Sequence, residues 1–130
     1  MHAKQLIRER FKDLLTDATN IPVEANRAHT LSAFPLFNIR SGRDEGVIED
    51  YTNTSKPRRY DLMIEMHVAS NNHDNDLDDM QKIVEDVLEA NPTSPDWSAC
   101  FFESADEPED VAGKTVYSKC TVHTIFMFEV

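Results

Sequence analysis

Apolar residues recur along this chain with two different periods. Ile7, Phe11, Leu14, Leu15 and Ala18 return every three or four positions, which puts them on one face of a helix over residues 4–18. Arg8, Arg10, Lys12 and Asp13 fall mainly on the other side, and Asn20 and Pro22 end the run. Leu77, Met80, Ile83, Val84, Val87 and Leu88 make a second, broader stripe. The spacing predicts a helix beginning near Asp76 and capped by Asp74 or Asn75. Asp76, Asp78 and Asp79 would lie in its first turn, where the helix dipole favours negative charge, and Ala90-Asn91-Pro92 stops it.

Elsewhere the period is two. Over residues 59–69, Leu62, Ile64, Met66 and Val68 share one face and Asp61, Met63, Glu65 and His67 the other, so one face is expected buried and the other partly wet. Residues 115–130 predict the longest strand. Val116, Ser118, Cys120, Val122, Thr124, Phe126, Phe128 and Val130 lie on one side, and Tyr117, Lys119, Thr121, His123, Ile125, Met127 and Glu129 on the other. Shorter strands are expected at 34–40, opened by a proline that suits a first or edge position, and at 97–104 through Trp97, Ala99, Phe101 and Phe102. A short extended segment fits between Val23 and Leu31. Residues 41–58 read as a long polar loop or a floppy hairpin, Asn71 to Asp76 as a turn, and 105–114 as an acidic loop.

Each amphipathic helix has one face to bury, and a sheet supplies the partner. The expected fold is α+β: a mixed or mainly antiparallel sheet of four to five strands, both helices on one face, and a long polar hairpin loop. No repeat or linker divides residues 1–130, so a single domain is expected.

Composition narrows the class. At 40% hydrophobic residues the chain can form one core, and no apolar run approaches the ~20 residues that span a bilayer. Met1 to Arg10 alternate charged and apolar groups and lack a signal peptide's apolar stretch, so a soluble protein made in the cytoplasm is expected, with no membrane partner. The formal net charge is −11, which opposes affinity built on neutralising phosphates. Residues 1–60 carry ten Lys and Arg against eight Asp and Glu, whereas residues 61–130 carry three against sixteen. The asymmetry reads either as solubility or as two faces that complement each other between neighbours.

Motifs for chemistry are sparse. His67, His73 and His123, with Asp74, match no zinc spacing, and surface or strand histidines explain them better. Cys100 and Cys120 form no CxxC and are expected as free buried thiols. No nucleophile elbow or phosphate-cradling glycine loop is present in a chain with three glycines. Lys56, Arg58 and Arg59 beside Tyr51 and Tyr60 could suggest nucleic acid, but the group is short and set in an acidic chain. No cofactor and no catalytic residue is expected.

Taken in order, the segments resemble the tail terminator proteins of lambda-like long-tailed bacteriophages. The resemblance runs through the first helix, Ala25-Asn26-Arg27, the Phe34-Pro35 opening into Leu36 to Arg40, and the polar loop. It continues through the strand Tyr60 to Val68, the helix Asp74 to Leu88 and the closing strand Thr121 to Val130. It lies in order and spacing over nearly the whole chain. The resemblance implies a virion structural protein at the head–tail junction and not an enzyme. Such proteins form a hexameric ring that caps the tail tube, ends its growth and provides the surface that joins the head. The implied partners are further copies of the chain, the major tail tube protein and a head-completion or connector protein. DNA passes through the ring without being held, and an acidic wall would let the duplex slide. Another phage connector or neck subunit, or a small acidic module that mimics DNA, are the alternatives.

A closed ring needs two different patches that meet. The candidate basic patch is Arg43, Lys56, Arg58 and Arg59; the candidate acceptors are Asp76, Asp78 and Asp79 or Glu107 and Asp110.

Overall fold

The computed structural model describes residues 2–25, 34–69, 73–111 and 117–130. Helix α1 spans Ala3–Ala18, and strand β1 is Val23–Glu24. Strand β2 (Leu36–Gly46) and strand β3 (Pro57–Val68) form a long hairpin, followed by helix α2 (His73–Ala90). Strands β4 (Ala99–Ala105), β5 (Glu109–Val111) and β6 (Tyr117–Glu129) complete the fold.

The strands form one six-stranded sheet in the order β1-β2-β3-β6-β4, with β5 also on β6. Only β1 and β2 run parallel; the other pairs are antiparallel. The fold is α+β with a mixed sheet, as the periodicity indicated. The strand count exceeds the expected four to five because β1 and β5 have two and three residues, too few for a readable alternation.

Strand alternation creates two distinct sheet faces. Register puts Ile39 opposite Ile64, and Ile64 opposite Val122, so these residues share the inner face with Phe37, Leu62, Met66 and Phe126. Both helices pack there. Ile7, Phe11 and Leu15 of α1 and Leu77, Met80, Val84, Val87 and Leu88 of α2 join these residues in one buried cluster. Phe126 is its aromatic centre. Phe11 meets it edge-on at 5.5 Å between ring centroids, and Trp97 does so at 4.8 Å. Two polar residues in the inner row are satisfied: the Thr124 hydroxyl donates to the Leu62 carbonyl at 2.7 Å, and the Ser118 hydroxyl donates to Asp110 at 2.7 Å.

Three expectations need correction. First, residues 41–58 form an ordered hairpin end, with strand at 41–46 and 57–58 and a loop only between them. After a bulge between Ser41 and Asp44, β2 keeps pairing with β3 as far as Gly46 opposite Arg58. Polar residues alternate here because both sides of this hairpin end carry ion pairs, so hydrophobicity gave no strand signal. Gly42 belongs to the bulge, where an added Cβ would lie 2.7 Å from the Asp61 carbonyl oxygen. The connection from Val47 is organised by a 3-10 turn, Ile48–Asp50, and by Ser55, whose hydroxyl donates to Glu129 at 2.9 Å. Second, α2 begins at His73, so Asp74 and Asp76 lie in its first turn; Asp74 and Asn75 are not caps, and Asp78 and Asp79 fall a turn later. Third, the acidic loop contains β5, and the 97–104 strand starts at Ala99, with Trp97 in an isolated bridge to Ser94. Asn26 to Leu31, Asn71 and Val116 lie outside the described residues.

Because Phe126 is fully buried between two aromatic rings, Phe126→Ala should lower stability by roughly 3–5 kcal/mol, measured by urea unfolding. A change within about 0.5 kcal/mol would show that the assignment of strand faces is wrong.

Candidate functional site

The two adjacent arginines of the expected basic patch point to opposite faces, because they are neighbours on one strand. Arg58 lies on the inner side, where its guanidinium clasps Asp44 through two nitrogens and packs over the Phe128 ring. Arg59 faces outward and pairs with Glu45 and, across the sheet, with Glu103. Arg43 is exposed and sits 3.4 Å from Glu45, while the Lys56 carbonyl accepts the Val130 N–H at 3.1 Å. The hairpin cations therefore do not form a single patch, and three of them are engaged within the chain.

A different cationic group forms where α1 crosses this hairpin. Lys4 stands 3.5 Å from the Asp44 carboxylate that Arg58 holds, and 5.9 Å from the Tyr60 ring. Arg8 donates to the Tyr60 hydroxyl at 3.1 Å, and that hydroxyl also bonds Ser41 at 2.7 Å. Burial opposes ionisation of Asp44, but the Arg58 hydrogen bond and charge, with Lys4, hold its carboxyl below the usual range. The same ion pair raises Arg58. Lys4 and Arg8 were assigned to no site in the sequence. Their signal was a spacing of four residues beside the core positions Ile7 and Phe11, which puts both on one side of the helix.

The two candidate acidic acceptors form a single corner. The Ser118 hydroxyl links Asp110 of β5 to His73 at the start of α2. Burial raises the Cys120 thiol, and the nearby charges of Asp106 and Asp78 raise it further. Asp78 of the helix and Asp106 of the β4–β5 connection thus approach the same side chain. Glu107 is exposed at this corner. Asp76 and Asp79 line a neighbouring apolar cavity of about 350 Å3 with Ile21, Phe34, Val68 and Met80.

The outer face holds two polar clusters that alternation alone did not reveal. Asn38 and Glu65 are buried directly opposite one another. Glu65 accepts from Asn38 and Arg40, each at 3.0 Å, and contacts His67 at 3.3 Å and Lys119 at 3.7 Å. Burial opposes its charge, but the hydrogen bonds from His67, Asn38 and Arg40 and the Lys119 charge outweigh it and hold the carboxyl far below the ordinary range. Farther along, His123 lies between Asp61, at 3.3 Å, and Asp106, at 3.1 Å. Burial opposes the imidazolium, but the bonds to Asp106 and Asp61 raise His123. Asp61 is itself raised, because its own burial outweighs the His123 contact.

The three histidines weighed as a metal set have separate partners: Glu65 for His67, Ser118 for His73, and Asp61 with Asp106 for His123. Among the described residues, no group of three or more His, Cys, Asp or Glu side chains could hold a metal ion. Both cysteines are free, and burial pushes Cys100 up to about 11, which leaves its thiol protonated and a poor nucleophile at neutral pH. No helix of the described residues is long and apolar enough to cross a membrane.

No protein-family model matches the chain, and no curated protein matches it. Among solved structures, the fold is similar to a chain of the virion of a native gene transfer agent particle. The TM-score is 0.53 at 14% identity, and the match covers 92% of this chain and 84% of that one. The likeness is one of fold.

The pH dependence follows from these shifts. Glu65 and Asp44 are depressed, so their stabilisation is present above about pH 5 and is lost as pH falls through their folded values. His123 is raised, so its stabilisation is complete below about pH 6 and is lost as pH rises through its folded value. Wild type should therefore lose urea resistance relative to His123→Gln as pH rises above about 6. Parallel curves for the two proteins over that range would contradict the His123 clamp.

Proposed function

We propose that this chain is a structural subunit of a phage-like virion and, more narrowly, a tail terminator rather than an enzyme. The observation that carries the reading is the fold likeness to a chain of a gene transfer agent virion over 92% of this chain. The order of helices, hairpin and closing strand that resembles tail terminators points the same way. In this reading six copies form a ring on the tail tube. The ring stops addition of the major tail tube protein and offers its far side to a head-completion or connector protein.

The charge is compatible with such a ring. A formal net charge of −11 would repel phosphate at the ring wall, so duplex DNA would pass without being retained. Location in the virion, at the head–tail junction, is part of the same proposal.

The test is electron microscopy of particles assembled with and without the protein. Tails made without it should have tubes of uncontrolled length or fail to join heads, and added protein should appear as six-membered rings at the tube end. Uniform, joinable tails in its absence would overturn the terminator role.

A further inference from the structure

The sheet ends in two edges of opposite charge. At the β2 edge, a cavity of about 480 Å3 opens between the first half of α1 and residues Ile39, Arg40 and Ser41. Lys4 and Arg8 line it. Strand β1 pairs only with Phe37 and Asn38, and past that point the outer side of β2 has no strand partner among the described residues. Lys4 and Arg58 share the Asp44 carboxylate, whereas Arg8 is bonded to the neutral Tyr60 hydroxyl. Two of these three cations thus share one carboxylate and the third, Arg8, has only a neutral partner, in a chain of formal net charge −11.

At the opposite edge, beyond β6, lies the β4–β5 connection. There Asp106 is taken by His123, Glu109 by Lys119 at 3.5 Å, and Asp110 by Ser118. Glu107, exposed between them, has no cationic partner among the described residues.

We propose that these edges meet between copies: the acidic corner around Glu107 of one copy seats against Lys4 and Arg8 at the β2 edge of the next. This names the subunit contact of the ring proposed above and rests on that reading. The contact is heterologous, because donor and acceptor lie on opposite edges of one sheet. Each bound pair keeps one edge of each sign available, so association propagates head to tail. A two-fold pairing of either edge with itself would set like charges together. A second copy fits the groove better than a nucleic-acid strand does, since the chain's overall charge repels phosphate and its own far edge supplies the complementary carboxylate.

The experiment is sedimentation of the full chain over a range of concentrations at low and high salt. Wild type should self-associate more strongly at low salt. Lys4→Glu with Arg8→Glu, and separately Glu107→Lys, should each weaken association roughly tenfold or more at low salt, with the difference shrinking in high salt. Mixing the two variants should restore head-to-tail association with the two alternating, since Glu107 of one meets Lys4 and Arg8 of the other and the two sign-exchanged edges also match. The triple variant, with the signs exchanged, should associate again, which separates loss of contact from loss of fold. The proposal is overturned if wild type stays monomeric at all concentrations, or if both variants assemble like wild type. It is also overturned if Lys4→Glu with Arg8→Glu abolishes binding to a duplex DNA probe while leaving self-association intact. These outcomes leave the virion role untouched, because that role is read from tails; loss of the tail phenotype with head-to-tail association intact would instead refute the terminator reading alone.

Discussion

Strand β6 has to satisfy three partners at once, and the rest of the fold follows from how it does so. One side pairs with β3 from Pro57 opposite Glu129 to Val68 opposite Ser118; the other pairs with β4 and, farther along, with β5. Its inner row of Val122, Phe126 and Phe128 must lie under the helices while Thr121 and His123 face outward. A slip of one residue would exchange these rows and bury the outward-facing His123 among apolar side chains. The Thr124 and Ser118 hydroxyls fit the inner row only because each has a designated acceptor in this register.

The same alternation sorts the charges. Arg58 and Arg59 are consecutive, yet one helps tie α1 to the inner side through Asp44 and the other ties β3 to β4 on the outer side through Glu103. Glu65 gathers Asn38, Arg40, His67 and Lys119 from three strands, which makes it the cross-link of the outer face. Ion pairs at the exposed end of the hairpin are individually weak. The Glu65 carboxylate differs, since it is buried and removing its cationic partners Arg40 and Lys119 would leave its charge uncompensated.

A chain built in this way puts its helices on one face and leaves the outer face and the two sheet edges open. In the proposed ring the edges would serve neighbours, and the outer face, with Phe101 exposed beside the ion pairs, would face another layer of the virion. Of the two thiols expected buried, Cys120 is and Cys100 is only partly so; Cys100 donates a hydrogen bond to the Asn91 carbonyl at 3.1 Å, beside the end of α2. Asn91 also receives the Trp97 indole N–H on that carbonyl, at 3.0 Å, which fixes Trp97 against Phe126.

The α+β class, both helices and the inner rows of β3 and β6 were legible along the chain. These depend on local periodicity, and Ile7, Phe11, Leu15, Leu62, Ile64, Val122 and Phe126 are buried where that periodicity placed them. The end of the β2–β3 hairpin was not legible, because strand pairing there is supported by Arg58–Asp44 and Arg59–Glu45 rather than by apolar alternation. Nor was the start of α2, where an acidic run offered several equivalent caps. Asp78, Asp106 and Asp110 could be named as acidic, but their convergence on Ser118 and Cys120 required the order β3-β6-β4 with β5 alongside. Arg8 read only as a position on the polar side of its helix, and Lys4 stood out in no way, until α1 was laid across Tyr60. Periodicity is written into neighbouring residues, whereas charge pairing between distant segments exists only after the sheet order and register have brought them together.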